Sequence, residues 1–445
     1  MTFVLEPPLD SRALDGSMRD FVDVTGPDLL GRTQGFLEWQ ERRRLQQLWS
    51  YSKSTDLAPL TECEARYDTG YRLHGINLGS QDYLSLSSHP AIKAAAIDAI
   101  GRHGVHSAGS PVLLGNTAYS VKLEAELCDF LHMEHCVLFP TGWGAGYSAI
   151  KGLVRPGDHV VMDSLSHSCL REGALAATRQ VYPVTHRDNS AFHDALADIR
   201  SRDPSGAILV VTESLFSMDS DVPDIAGLQQ ICTEQGATLM VDVAHDLGAL
   251  GKDGTGYLGA QNMLGKVDMV MGSFSKTFAS NGGFILSHQR SVKEYLKFFA
   301  APHIFSNALS PVQAAVVLAA LTIVRSSEGS DRRRRLMERV IELRNRLRMA
   351  HFECLGDPSA IVPVHIGDEG LTRLLTRALP RHRVVTNLVE YPGVAKGAAR
   401  LRLQVMADHT AEQMQLAAAG IALALAEAQA ALREVRRTGQ EAAVT

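Results

Sequence analysis

The chain has 445 residues, of which 45% are hydrophobic and 21% charged, with a formal net charge of −5. This balance is ordinary for a globular protein and gives no electrostatic footprint for nucleic acid or an anionic membrane. The N-terminal stretch MTFVLEPPLDSRALDGS lacks the basic and apolar regions of a signal peptide, and no uninterrupted apolar run reaches the roughly 18 residues of a bilayer span. We therefore expect a cytoplasmic protein without a membrane or nucleic-acid partner.

Residues 1–74 are predicted to form an N-terminal arm of mixed charge, proline and short apolar patches. Within it, GFLEWQERRRLQQLW has the apolar spacing of an amphipathic helix. The apolar side chains available for burial on that helix are Phe36, Leu37, Trp39, Leu45 and Leu48.

Residues 75–305 are predicted to form a large domain in which short apolar runs alternate with segments of helical period. The runs are CVLFP, HVVMD, AILVVTES, ATLMVDVAH and VDMVMGS. Runs that are apolar on both faces and separated by helices indicate βαβ units and a mostly parallel sheet covered on each side. The predicted fold class is therefore α/β.

Residues 306–445 are predicted to form a smaller C-terminal α+β domain. Its first long helix, DRRRRLMERVIELRNRLRMA, carries an apolar stripe of Leu336, Val340, Leu343 and Leu347. We interpret the basic run of that helix as a solvated face. The strand-like stretches AIVPVHIG, RVVTNLVEYPGV and ARLRLQVMADHT follow, and a final helix ends the domain.

Several polar residues follow predicted strands of the large domain, at the edge where doubly wound sheets bind ligands. Asp242 and His245 follow one strand, Ser217 follows another, and Lys276 comes just after VDMVM. A lysine in such a crevice can form a Schiff base, and a carboxylate can keep a pyridine nitrogen protonated. Singly, each residue fits a bland role, such as a solvated lysine, a helix N-cap or a core histidine. Their joint order indicates pyridoxal 5′-phosphate (PLP) chemistry.

The loop PTGWGAGYSAIKG leads from CVLF into a predicted helix and offers backbone N–H groups to a phosphate. Gly142 and Trp143 are the candidate phosphate-binding residues. The same loop partly matches the dinucleotide-binding fingerprint, with Asp163 at a suitable distance for a ribose, but Tyr147 stands at the third glycine position. A nicotinamide-dependent oxidoreductase therefore ranks well below a PLP enzyme. The six cysteines have no CxxC spacing, so no metal site is indicated.

The stretches FSMDSDVPDIAGL, VDVAHDLGALGKDGTG and GSFSKTFASNGGFI resemble those of the α-oxoamine synthases, a family of fold-type I PLP-dependent enzymes. The resemblance extends from INLGSQDYLSLSSHPAI to YPGVAKGAARLRLQVMADHT. It implies a Claisen condensation of an amino acid with an acyl thioester, carried by coenzyme A or an acyl carrier protein. Decarboxylation usually accompanies this condensation, and the product is a 2-aminoketone. A homodimer is also implied.

The resemblance assigns roles residue by residue. Lys276 is implied to be the Schiff-base lysine and general base. Asp242 pairs with the pyridine nitrogen, and His245 bonds the phenolic oxygen. The remaining implied residues are His167 for stacking on the cofactor, Ser217 for supporting its ring, Ser273 for its phosphate, and Ser306 and Asn307 for the phosphate of the partner subunit's site.

The substrate side departs from the family pattern. Arg402, in ARLRL, is retained and is implied to bind the substrate carboxylate. Gln81 replaces a common asparagine, and Glu390 stands where the family has a second arginine. Glu390 is expected either to pair with a cationic amino-acid side chain or to lie in solvent or beside Lys396. Its charge disfavours an acidic acyl donor.

Two further alternatives remain open from the sequence. Another fold-type I enzyme, such as an aminotransferase, would use the same cofactor. A non-catalytic partner subunit would keep the fold, but the presence of Lys276, Asp242 and His245 argues against it.

Overall fold

The structure, a computed structural model, describes residues 9–444, with side chains described through Arg437. The helices are α1 (Gln34–Leu45), α2 (Pro90–His103), α3 (Ala118–Leu131), α4 (Gly142–Leu153), α5 (Ser168–Ala177), α6 (Asn189–Arg202), α7 (Ile225–Glu234), α8 (Gly256–Ala260), α9 (Arg290–Phe299), α10 (Ala301–Ile304), α11 (Pro311–Val324), α12 (Ser327–Met349), α13 (Glu369–Ala378) and α14 (Ala411–Val444).

The strands are β1 (Lys53–Thr55), β2 (Glu62–Tyr67), β3 (Arg72–Asn77), β4 (His135–Phe139), β5 (His159–Asp163), β6 (Val181–Val184), β7 (Ile208–Glu213), β8 (Thr238–Asp242), β9 (Met269–Ser273), β10 (Gly283–Ser287), β11 (Glu353–Cys354), β12 (Ile361–Gly367), β13 (Val384–Val385), β14 (Asn387–Val389) and β15 (Ala399–Gln404).

The chain divides into two compact units. One comprises residues 81–335, and the other combines the segments that precede and follow them. This division differs from the predicted arm, large domain and C-terminal domain, with boundaries at 74 and 305. The N-terminal arm falls in the same unit as the C-terminal strands, and the helices up to residue 335 fall in the unit of the large sheet.

The unit of residues 81–335 contains a seven-stranded sheet in the order β4-β10-β9-β8-β7-β5-β6. Strands β9, β8, β7, β5 and β6 run parallel to one another, while β10 runs antiparallel to both β4 and β9. The five predicted apolar runs form β4, β5, β7, β8 and β9. The prediction of a mostly parallel α/β sheet is thus confirmed.

Strands β6 and β10 are absent from the sequence-based prediction. Strand β10 follows β9 after a connection of residues 274–282, which is too short for a helical crossover, so the two strands pair antiparallel. This connection carries Lys276. The core on one side of the sheet joins apolar side chains of the strands to helices α4 and α5, with Phe139, Ile150, Val160 and Leu170 among its fully buried members.

The other unit contains two four-stranded sheets, in the orders β1-β2-β3-β13 and β11-β12-β15-β14. Strand β13 pairs parallel with β3, which joins the N-terminal arm to the C-terminal segment. At Gly75 in β3, an added Cβ would lie 2.3 Å from the backbone of Arg383, so this pairing depends on a residue without a side chain.

The predicted burial of the first arm helix is only partly correct. Trp39 and Leu48 are buried, but Leu37 and Leu45 are exposed by 45% and 74%. The buried positions of α1 include Arg43 instead. The predicted stripe of α12 is confirmed, since Leu336, Val340, Leu343 and Leu347 are all fully buried.

One stretch of the described residues, Ala411–Arg437, is long and apolar enough to cross a membrane by length and composition. Helices α11 and α12 pass the same test only as a pair bent by 79°. Within α14, Met414, Ala417, Ile421 and Ala424 are buried at helical spacing, and the helix packs against α13. Such a one-sided stripe is the pattern of a core helix in a globular unit.

Candidate active site

A cavity of about 310 Å³, counting space open to solvent, lies beyond the carboxyl ends of β7, β8 and β9. Ligands of doubly wound sheets bind at this edge. Seven residues singled out from the sequence line it: Gly142, Trp143, His167, Asp242, His245, Ser273 and Lys276. The other lining residues are Cys169, Glu213, Ala244 and Met271.

Two carboxylates end neighbouring strands at this cavity. Glu213 is the last residue of β7 and Asp242 the last of β8, and the two are paired in register. Both are buried. Burial and the nearby charge of Asp242 raise the pKa of Glu213 well above its usual range. Burial also raises the pKa of Asp242, although the charges of Lys276 and His167 oppose this shift.

Lys276 is half-buried in the connection between β9 and β10. Phe274 and Phe278, both buried, flank the lysine and contact each other edge to face with ring centroids 5.9 Å apart. The connection closes through a hydrogen bond from the N–H of Phe274 to the carbonyl of Gly282, whose φ of +110° favours glycine. Aromatic anchors therefore hold the backbone on both sides of the lysine, while its side chain lines the cavity.

His167 is the N-cap of α5, and its ring is fixed by the start of that helix. Its Nδ1 accepts a hydrogen bond from the N–H of Cys169 at 3.3 Å and lies 3.1 Å from the Cys169 Sγ. A backbone N–H can only donate, so the neutral ring carries its proton on Nε2. The N–H of His167 in turn donates to Oε1 of Glu213 at 2.6 Å.

Helix α4 points its N-terminus at the cavity. Thr141 caps the helix by accepting the Gly144 N–H at 2.9 Å, and Gly142 and Trp143 occupy the first turn. Backbone N–H groups at such an end favour an anion. A Cβ on Gly142 would lie 2.4 Å from the Ser273 Oγ, so glycine is needed for the helix to approach the end of β9. The Trp143 ring is half-exposed and stacks on Tyr147.

His245 lies just after β8 and is buried. Its Nδ1 is 2.9 Å from the hydroxyl of Tyr83, a fully buried residue from the segment between β3 and α2. The next residue, Asp246, accepts hydrogen bonds from the Ser214 hydroxyl and the Tyr257 N–H at 2.7 Å each. Complete burial raises the pKa of Asp246 to about 7. Buried polar contacts thus fix the loop after β8.

Comparison with known proteins agrees with this geometry. Residues 74–421 match the model of the family described as aminotransferase class I and II. The chain is 33% identical over 345 residues to 8-amino-7-oxononanoate synthase from Geotalea daltonii, covering 78% of this chain and 87% of that protein. The chain belongs to the aminotransferase class I and II family.

Other similarities place the chain among the α-oxoamine synthases of that family. It is 30% identical over 406 residues to the 4-hydroxy-2,2'-bipyrrole-5-methanol synthase PigH from a Serratia species. The aligned region covers 89% of this chain but only 60% of PigH. The solved serine palmitoyltransferase of Sphingomonas wittichii superposes with a TM-score of 0.83 at 25% identity, over 91% of this chain and 99% of that one. A further solved structure, of SPT with PLP, has a TM-score of 0.84, also at 25% identity, over 90% of this chain and 99% of that one.

The cavity fits PLP, the cofactor of α-oxoamine synthases. Asp242 is a buried carboxylate, and burial raises its pKa. A positive charge nearby lowers that pKa again, and the protonated pyridine nitrogen of PLP would supply such a charge. The N-terminus of α4, with its required glycine, offers an anion site for the phosphate, and Lys276 offers an amine for the aldehyde. These residues therefore match the pyridine nitrogen, the phosphate and the aldehyde of the cofactor.

Asp163, which suggested a ribose site, has its carboxylate engaged elsewhere. It accepts hydrogen bonds from the N–H groups of Leu165 and Arg187 and from His186 at 2.8 to 2.9 Å, and it is 1% exposed. The structure thus gives no support to a nicotinamide site at this strand end.

Several predicted site residues are not among those lining the cavity. Ser217 is buried in the loop after β7, and Gln81 is half-buried ahead of Tyr83. Asn307 contacts His106 at 3.1 Å, next to Ser306. Arg402 is half-buried in β15, in the unit that holds the C-terminal strands. The roles assigned to these residues remain predictions.

The structure contradicts the expectation that Glu390 lies in solvent or beside Lys396, while its pairing with a cationic substrate side chain stays a prediction. Its side chain is 1% exposed and its carboxylate is held by Arg373 at 2.7 Å and by Arg43 at 3.5 Å. It therefore lies neither in solvent nor beside Lys396, whose ammonium sits over the Tyr391 ring. Because the chain supplies both cations, a cationic substrate is not required to balance this charge.

Sequence reasoning missed Glu213, Cys169 and Tyr83. Glu213 sits at the end of the run AILVVTES, where the strand-end rule that found Asp242 could also have found it. Tyr83 comes from a segment 162 residues away from His245, and no local pattern connects the two.

Proposed function

We propose that this protein catalyses a decarboxylative Claisen condensation of an amino acid with an acyl thioester. A bond forms between the amino-acid Cα and the acyl carbon, the acyl C–S bond breaks, and carbon dioxide leaves. The products are a 2-aminoketone and a free thiol. The observation that carries the proposal is that Lys276, Asp242, His167 and His245 line one cavity at the carboxyl ends of parallel strands.

The chain's own residues have distinct tasks in this reaction. PLP supplies an electron-withdrawing ring when bound. Asp242 holds the positive charge of the ring nitrogen, and the first turn of α4 holds the phosphate. The Lys276 amine takes a proton from the substrate Cα and later returns one. Arg402 is proposed to bind the substrate carboxylate with its planar pair of donors.

We further propose a small neutral amino acid as the substrate. The name of serine palmitoyltransferase, the structural relative, states that it acts on serine. In this chain Glu390 forms ion pairs with Arg43 and Arg373, so its charge gives no reason to expect a basic side chain on the substrate. Serine is accordingly the first candidate, and the proposed acyl carrier is coenzyme A or an acyl carrier protein.

The test is chemical labelling followed by an amino-acid screen. The purified protein should be yellow, and borohydride should attach the cofactor to the peptide that contains Lys276. Lys276→Ala should bind PLP without covalent capture and should release no thiol from acyl thioesters. Serine, alanine, glycine and arginine are then compared as promoters of thiol release. A colourless protein, or labelling at another lysine, would contradict the proposal.

We also propose that the protein is a cytoplasmic homodimer. The support is a set of exposed apolar side chains on two adjoining segments, 109–115 and 304–308, namely Leu113, Leu114 and Phe305. The segments are joined by hydrogen bonds from Ser110 to the Ile304 carbonyl and from Ala308 to the Gly109 carbonyl. A second copy would cover these side chains, and sedimentation measures the dimer directly.

A further inference from the structure

Tyr83 is fully buried and its hydroxyl lies 2.9 Å from Nδ1 of His245. Both residues belong to the unit of residues 81–335. His245 lines the cavity, whereas Tyr83 does not, so the tyrosine contacts the histidine ring from outside the cavity. The direction of this hydrogen bond is linked to which nitrogen of the imidazole carries the proton.

The position of Tyr83 is fixed by its neighbours in the chain. Asp82 accepts the N–H groups of Leu86 and Ser87 at 2.9 and 3.0 Å, which closes the backbone into a tight turn. Arg332, from α12, donates to the carbonyl of Leu84 at 3.0 Å. The phenol therefore has little freedom to turn away from the histidine.

A neutral imidazole has one N–H and one lone pair. If the phenol donates to Nδ1, the proton is on Nε2, and the nitrogen left for the cavity is a donor. If Nδ1 donated to the phenol instead, Nε2 would present a lone pair. A lone pair cannot stabilise an anionic oxygen in the cavity, whereas an N–H can.

We propose that Tyr83 is a positioning residue that donates its hydroxyl hydrogen to Nδ1 of His245 and so keeps the ring proton on Nε2. This assignment rests on the proposed function, because the acceptor it serves is the phenolic oxygen of PLP. A hydrogen bond to one ring nitrogen of a functional histidine fixes the tautomer and the orientation of the ring, and so determines what the other nitrogen offers. Tyr83 itself does not touch substrate or cofactor.

The test reads the tautomer directly and without cofactor. Protein labelled with ¹⁵N-histidine is studied by NMR in the apo form, at a pH where the ring is neutral, and His245→Gln assigns the signals. We expect a wild-type His245 with unprotonated Nδ1 and protonated Nε2. In Tyr83→Phe the two tautomers should mix, and the Kd for PLP should rise about tenfold.

The chain offers a matched control. The Tyr182 hydroxyl lies 3.2 Å from Nδ1 of His159, away from the cavity, so Tyr182→Phe removes the same kind of contact. It should leave both the His245 signals and the PLP affinity unchanged. A protonated Nδ1 in the wild-type protein would overturn the proposal, and so would an unchanged tautomer in Tyr83→Phe.

The wild-type NMR spectrum can still overturn the proposal if Tyr83→Phe does not fold, because a protonated Nδ1 cannot accept a hydrogen bond from the phenol. Failure of the wild-type protein to bind PLP would refute the proposed function instead, and the apo tautomer would still be readable. The two ideas therefore fail by different measurements.

Discussion

Glu213 and Asp242 end adjacent parallel strands at paired positions, and both carboxyl groups are buried at the cavity that holds Lys276. Two carboxylates this close in a poorly solvated site do not both ionise readily. Burial and the charge of Asp242 raise the pKa of Glu213 well above its usual range, so Glu213 is expected to hold a proton in preference to Asp242. Asp242 can then carry the charge that the cofactor nitrogen needs.

The first prediction separates the charge of Glu213 from its hydrogen bond. Glu213→Gln keeps an acceptor for the His167 N–H and imitates a neutral acid, so its kcat/KM at pH 7 should stay within about threefold of the wild type. Glu213→Ala loses the acceptor and should lose roughly tenfold or more. Steady-state kinetics compares the two variants. Equal, large losses in both would mean that Glu213 acts as an anion.

The second prediction concerns the ion cluster at Glu390. Glu390→Gln would leave Arg43 and Arg373 facing each other in a buried site, so the free energy of unfolding should fall by about 3–5 kcal/mol. Urea denaturation measures the change. The order of preference among amino-acid substrates should not change. A change in that order without loss of stability would return Glu390 to a role in substrate binding.

The same ion cluster is expected to hold the start of the N-terminal arm in place. Arg373 also donates to the carbonyls of Leu14 and Gly16, and Arg43 donates to those of Asp15 and Gly16. Arg12, which is exposed and pairs with Asp10, provides the comparison. Arg373→Met should make the arm more sensitive to protease than Arg12→Met does, because Arg373 donates to backbone carbonyls of the arm whereas Arg12 pairs only with the Asp10 side chain next to it.

The third prediction is a pH dependence of stability that arises from His186. Its ring lies between Asp163 at 2.8 Å and Asp221 at 3.0 Å, with Arg187 also contacting Asp221. Burial alone would lower the pKa of His186, but hydrogen bonds to the two carboxylates raise it to about 9. Its stabilising charge is therefore complete below about pH 6.5 and is lost as the pH rises through 9.

The measurement compares the Tm of wild type and His186→Gln at pH 6.5 and pH 9.5. The variant should be less stable at pH 6.5, and the difference should shrink at pH 9.5. His193→Gln is the control, because His193 is half-exposed and its nearest carboxylate is the neighbouring Asp194. A difference that grew with pH would contradict the assigned charge of His186.

The fourth prediction concerns a contribution from the partner subunit. If Ser306 and Asn307 serve the cofactor phosphate across a dimer interface, mixing an inactive Lys276 variant with an inactive Ser306/Asn307 double variant should restore some activity. Heterodimers of this kind contain one intact site, so about one quarter of wild-type activity is the expected upper limit from random pairing. If the heterodimers form but no activity is recovered, Ser306 and Asn307 do not contribute to the partner subunit's site and have only a structural role in their own turn.

The class of the fold and most of the cofactor site could be inferred from local patterns in the sequence. Buried strands read as continuous apolar runs, and parallel strands bring their carboxyl ends to one edge, so Asp242, His245 and Lys276 could be placed together without a structure. The glycine-rich start of α4 could also be identified from the sequence, because a glycine-rich turn that leads from a strand into a helix is a local pattern.

The surroundings of those residues could not be inferred from such patterns, because they depend on contacts between distant parts of the chain. Glu390 is paired by Arg43, which is 347 residues away in the chain, and Tyr83 contacts His245 across 162 residues. Periodicity and spacing report which side of an element is buried, but they carry no information about which distant charge or hydroxyl meets it there. A buried polar group must find a partner, and the identity of that partner depends on how the whole chain packs.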